Sequence, residues 1–212
     1  YKGYATAIAG AIIAKGVAKA TQNVTDDVRV KIYPSTILAN KGNIKIYASA
    51  KDITSNLTAY GGAGGVAAGT NVRAEATTTV NAVVEFLNGT SNSHAVVKAE
   101  SGNVFIGTST NTEARVYGRI KFTVDGLSHI STDVVNKMII NSLINLGSYT
   151  ELSAAKDLDI QAVINRIYAY ASAYSETGSV INTQSKPSAT VDVTANAKVI
   201  GTSVKLHAGQ TL

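Results

Sequence analysis

Hydrophobic residues in this chain recur on every second position. "VRVKI" at 28–32 and "NIKIYAS" at 43–49 place apolar side chains on one face of an extended segment and polar ones on the other. That alternation predicts half-buried strands, not amphipathic helices. Clusters such as "NKGN" (40–43), "SNLT" (55–58), "NGTSNS" (88–93) and "SETGS" (175–179) punctuate the runs and read as turns.

The alternating strand is written more than once. "KGNIKIYASA" (41–50), "SGNVFIGTST" (101–110), "AKDLDIQAVI" (155–164) and "GTSVKLHAGQ" (201–210) each place a short polar pair before apolar, polar, apolar. The apolar pairs are Ile44 and Ile46, Val104 and Ile106, Leu158 and Ile160, Val204 and Leu206. Tyr4, Tyr60, Tyr117 and Tyr170 form a second marker running in step. A third reads "NVTDDVRVKI" (23–32), "TTTVNAVVEF" (77–86), "ISTDVVNKMI" (130–139) and "SATVDVTANA" (188–197). Three features in one order, four times, predict a tandem array with a period of roughly 55 residues. Its units are 1–56, 57–113, 114–166 and 167–212, forming one continuous elongated domain. No atypical capping unit is visible at either end and the chain opens on "YKGYATAIAG" without Met, which reads as a slice of a longer array.

Within a unit, "YATAIAGAIIAKGVAKATQ" at 4–22 has the composition of an Ala-rich helix. Its counterpart "YGGAGGVAAGTNVRAEATT" is rich in glycine, at a cost of about 1 kcal/mol for each Gly in a helix interior, so both are assigned as strand. Segment 131–146, "STDVVNKMIINSLINL", carries a Ser-Thr-Asp lead-in suited to a helix N-cap, while repeat register makes it strand; both readings stay open. The fold class expected is all-β, a repeat-built parallel β-solenoid, with a tandem β-sandwich or a donor-strand filament subunit as alternatives. A solenoid coil of about 20 residues is much shorter than the unit, so two or three coils per unit, or one coil and a hairpin, are expected. Ile46, Ile106, Ile160 and Leu206 should then point inward from stacked positions on one face.

Composition narrows the function. Charged residues make up 16% of the chain and Cys is absent, which excludes disulfides and thiolate metal sites. The net charge of +5 is scattered, without the basic stripe interleaved with aromatics that nucleic-acid binding uses. The longest apolar run, "ATAIAGAIIA" at 5–14, is too short to span a bilayer, so no membrane insertion is expected.

The order of these elements resembles the long-repeat regions of giant bacterial filamentous adhesins, of the leukotoxin-type and haemagglutinin-like exoprotein kind. The match is best in "AGAIIAKGVAKATQNVTDDVRVKIYPSTILANKGNIKIYASA" at 9–50 and nearly as close in the second unit. It thins in the third and fourth. The resemblance implies a secreted, cell-surface, rod-like structural protein, and carries over no catalytic or binding residue. Its partners would be neighbouring repeats or identical subunits in a fibre, together with host or other cell surfaces. In the donor-strand alternative, the apolar N-terminal segment 4–14 is lent to the next subunit.

No catalytic, cofactor or metal residue is assigned. His94, His129 and His207 lack metal-ligand spacing, and no Gly-x-Ser-x-Gly elbow occurs. "YGGAGG" at 60–65 lacks the spacing of a phosphate loop and reads as small-residue packing. A polysaccharide-acting solenoid enzyme is the rival from another class, but Asp26, Asp27, Glu85 and Glu100 do not fall at equivalent repeat positions. Asn23, Asn56 and Asn88 each open an Asn-x-Thr glycosylation sequon.

Overall fold

The computed structural model describes residues 1–176, 181–184, 187–201 and 204–208, with side chains described for all of these except 121–128 and 181–184. Among the described residues 85% are strand and none is helical. Segment 131–146 is strand. The strands are β1 (Lys2–Gly10), β2 (Ile13–Ile32), β3 (Thr36–Ala39), β4 (Ile44–Phe86), β5 (Ala95–Ala99) and β6 (Val104–Leu146). They continue as β7 (Thr150–Ala154), β8 (Leu158–Ser175), β9 (Ile181–Gln184), β10 (Ser188–Gly201) and β11 (Val204–Ala208).

Every pairing between these strands is parallel. Ile44 stands beside Val104 and Val104 beside Leu158, so each residue's sheet neighbour lies about one repeat further along the chain. The path between such neighbours is one circuit. Strands β1–β3 belong to the first circuit, β4 and β5 to the second, β6 and β7 to the third, and β8–β11 to the fourth. A whole unit therefore makes a single circuit; of the two arrangements expected from its length, two or three short coils or one coil and a hairpin, the pairing contradicts the first. The reason is strand length: a run of about twenty residues extends ~65 Å, so one out-and-back path consumes most of a unit.

The long strands fold back on themselves. Leu57 and Ala59 of β4 share a buried cluster with Val72, Ala74 and Ala76 of the same strand. The outgoing half therefore faces the returning half, with "YGGAGG" at the bend between them. Small residues are obligatory here. A Cβ on Gly61 would lie 2.5 Å from Val72 Cγ2 and 2.9 Å from Thr70 Cγ2 on the returning half, and one on Gly65 would run into the Ala11 carbonyl. At the other end β3, β5, β7 and β11 form a separate sheet that closes the base. There the core is three-sided and bulky, with Ile44, Ile46, Phe86, Val97, Val104, Ile106, Ile144 and Leu152 in one cluster.

Two parts of the repeat alignment need correction. Ile44/Ile46, Val104/Ile106 and Leu158/Ile160 are stacked as expected, but Val204 and Leu206 pair with Thr150 and Leu152 in the base sheet. The apolar–polar–apolar motif of 201–210 resembles the others because any inward-facing strand has that pattern; residues 202–203 and 209–210 of it lie outside the described residues. Leu206 is 57% exposed, whereas Ile106 is fully buried. The third marker also slips: Thr77 pairs with Lys137 instead of Ile130, and Ser188 with Asp133. The length drift comes from one corner. Phe86 takes over from Ile32 and Val96 from Thr36, so residues 87–95 replace the short corner 33–35. The loop 87–94 absorbs the extra length and closes on itself through Thr90 and Ser93. The turn read at 175–179 falls partly on residues 177–179, outside the described residues.

Candidate interaction surfaces

Outward-facing columns run across the circuits, because each strand places alternate side chains on the outer face and its neighbour repeats the placement. On the returning half of the sheet, Asp27, Asn81, Asn141 and Asn196 occupy one column. Asn141 Nδ2 donates to Asn81 Oδ1 at 2.8 Å, and Asn196 Nδ2 donates to Asn141 Oδ1 at 3.0 Å. The corners carry a second polar stack. The Asn103 amide donates to Asn43 Oδ1 at 2.8 Å, the Asp157 amide to Asn103 Oδ1 at 3.1 Å, and the Ser148 amide to Asn88 Oδ1 at 2.9 Å. Each such bond ties a corner to the one a circuit away, which fixes the register where no strand ladder does.

The outgoing half presents aromatic and cationic residues. The four marker tyrosines lie on it, though not in one column: Tyr4 pairs with Thr58, and Tyr60 with Thr6. Diagonal neighbours meet instead, the rings of Tyr4 and Tyr60 at 5.3 Å and those of Tyr117 and Tyr170 at 5.5 Å. Arg119 lies over Tyr117 at 5.5 Å, and Arg115 over Tyr168 at 5.1 Å. Glu113 pairs with Arg115 at 2.6 Å and Arg166 at 3.5 Å, and its charge raises the Arg115 guanidinium above its ordinary range. Tyrosine and arginine with exposed flat faces are the residue types enriched at protein interfaces. Tyr4, Tyr170 and Tyr174 are 69%, 40% and 51% exposed. Sequence reading found the marker tyrosines but not Arg115, Arg119, Arg166, Tyr168 or Tyr174, whose shared face depends on the circuit register.

Shallow depressions cross the circuits among the described residues. One, of 270 Å³, is lined by Val17, Lys19, Asn71, Arg73, Ser131 and Asp133, with Arg73 paired to Glu75 at 3.3 Å and to Asp133 at 3.9 Å. Another, of 130 Å³, lies beside Tyr47, Phe105 and Gln161, where the Tyr47 and Phe105 rings lean over Gly107. Among the described residues no group of His, Asp and Glu is placed to hold a metal ion. His94 bonds the Ser91 carbonyl at 2.8 Å and packs on the Tyr149 ring, while His207 pairs with Ser153 in the base sheet. Of the sequons, Asn23 faces outward and is exposed, Asn56 is half-buried, and Asn88 is exposed on the corner loop. Segment 4–14, the donor candidate, lies in its own chain, with β1 paired to Asn56–Gly64 of β4.

No family model, curated protein or solved structure matches this chain.

Proposed function

We propose that the chain is a non-enzymatic structural segment of a secreted or cell-surface fibre, a parallel β-solenoid in the manner of a filamentous adhesin repeat region. The observation that carries this reading is the repetition of the same polar bonds from circuit to circuit, above all Asn81 to Asn141 to Asn196. Asparagine ladders of this kind stabilise stacks of strand layers, and each added circuit extends the ladder by one more bond. Four layers at ~4.8 Å rise only about 19 Å along the stack, against ~65 Å along a strand. Length along the stacking axis, which a fibre needs, comes from adding circuits. In this reading the partners are adjoining circuits of the same repeat, and the Tyr/Arg face meets an external surface.

The test is immunogold electron microscopy of the source cells with antibody to this chain, combined with diffraction from the labelled material. Label along surface fibres with a 4.8 Å reflection parallel to the fibre axis is expected. Label confined to the cell interior, or cleavage of polysaccharide by the purified chain, would overturn the reading.

A further inference from the structure

The two ends of the stack differ from its middle. Of the described large hydrophobic residues that are exposed, all but Val66 and Tyr149 lie before residue 40 or after residue 160, on the first or last circuit. The outer edges of β1, β2 and β3, and of β8, β10 and β11, have no strand partner among the described residues. They also differ from each other. On the first circuit inward residues are shielded, Ala18 at 3%, Val24 at 3% and Ile32 at 7% exposure. On the fourth the inward column is open, with Val193 at 40%, Val199 at 47% and Leu206 at 57%.

We propose that a second copy of this chain covers the open end, its first circuit stacking head to tail on the fourth circuit of its neighbour. The argument is column identity. Following the ladder through all four circuits puts Ala20 and Ala189 in one column, Val24 and Val193 in another, Val30 and Val199 in a third. In the base sheet Ile37 shares a column with Leu206, and Ala39 with Ala208. Stacking in the same register therefore sets apolar on apolar at each of these positions. Outside, it sets Thr21 on Thr190 and Thr25 on Thr194, and places Asp27 at the open end of the asparagine ladder. The strands involved are 9, 20 and 4 residues long on one side and 18, 14 and 5 on the other. That exceeds the 20–30 residues a side of a standard stable interface. Because the two surfaces are different and stacking in register carries each copy onward along the stack instead of round a closed ring, repetition yields a filament.

Two inward residues oppose it, of which Gln22, in one column with Val191, is uncharged and bonded to Ser55, and Asp26 carries a charge. Asp26, half-buried between Val24 and Val28, shares a column with Ala195. A second copy seats a carboxylate against an apolar partner there, and an inward-pointing charge on an edge strand is a known brake on edge pairing. Asp26 thus keeps the contact weak and reversible. Surface localisation belongs to the fibre reading above; the contact itself can be tested without it.

Sedimentation velocity over a concentration series, with the chain as it stands, should show concentration-dependent association. Asp26→Val should strengthen it at least tenfold, and Val193→Asp or Leu206→Asp should abolish it while leaving the circular dichroism spectrum unchanged. Since the chain has no cysteine, orientation is read by mixing Thr21→Cys with Thr190→Cys under oxidation. A disulfide forming only between the two different variants is expected, because paired strands lie within disulfide reach. A monomer at all concentrations for both the parent chain and Asp26→Val would overturn the proposal and leave a flanking circuit of a longer chain as the cover. Crosslinks within either variant alone would overturn it as well. Association with label confined to the cell interior would sink the fibre reading and leave the contact standing.

Discussion

Replacing Ile106 by Ala tests the circuit assignment most sharply. Ile106 is fully buried, stacked between Ile46 and Ile160, in the base cluster with Ile44, Val104 and Leu152. The substitution removes three carbons, worth about 2.4 kcal/mol at roughly 0.8 kcal/mol per buried methylene. Sheets held by backbone ladders on either side collapse poorly, so a cavity contribution brings the cost to about 3–4 kcal/mol. The informative control is Leu206→Ala. The repeat motif alone treats Leu206 as the equivalent of Ile106, whereas the structure places it on the open fourth circuit at 57% exposure. Its loss should cost less than about 1 kcal/mol. Urea unfolding of both variants at low protein concentration, followed by circular dichroism, gives the comparison. Equal costs, or a cost below about 1 kcal/mol for Ile106→Ala, would refute the assignment of these residues to different sheets.

Asn141→Ala breaks both bonds of its ladder and should lower stability by about 2 kcal/mol, with Asn81→Ala adding less in the double variant than alone; full additivity would show that the ladder carries no coupling. Ala63→Leu, at the narrow bend beside Ala14 and Ala68, should cost about 1–3 kcal/mol through overpacking, and a neutral result in urea melts would mean the sheets are not closely apposed there. An excised 57–113 segment should be unfolded or aggregated, since one circuit buries its edges only against the next; a cooperative melt for it would contradict the stacked arrangement. The spectrum of the intact chain should be that of β-sheet, and a helical one would contradict the fold.

The alternating pattern made strand legible almost everywhere, because a one-sided strand has to show period two. It also decided 4–22, where alanine composition points to helix, through the glycines of the second unit. Circuit size was not legible. Nothing in the local pattern distinguishes a turn that ends a 20-residue coil from a bend within a 43-residue strand, and β4 runs through "SNLT" and "YGGAGG" without a break. The register slipped in the third unit for a related reason. Residues 87–94 lengthen a corner, and a one-dimensional alignment spread that insertion over the following strand. The Tyr/Arg face required the register to be right before residues such as Arg115 and Tyr168 could be placed together.

Side-chain volume changes systematically along the circuit, and this accounts for a composition that otherwise looks ill suited to a core. The base cluster uses Ile, Leu, Val and Phe, the middle mixes Leu57, Val72 and Ile130 with alanines, and the bend keeps only Ala14, Ala63 and Ala68. The two halves of the long sheet, joined at one end by a tight bend and held apart at the other by the base sheet, form a wedge, and the residues that fill a wedge have to shrink toward its edge. Trp is absent and Phe scarce because at most positions the gap between the sheets is too narrow for a ring; Phe86 sits at the wide end. Charge is low for the same geometric reason. Most residues of the middle circuits have a neighbour on each side within the sheet, so outward charges are stacked roughly 4.8 Å from the next circuit's side chain. Such columns tolerate Thr, Asn, Ser and opposite charges, as Lys31 beside Glu85 and Arg73 beside Asp133 show, and penalise a repeated charge. A sequence rich in Ala, Thr, Asn and Gly follows from stacking long parallel strands into a wedge and needs no catalytic purpose to explain it.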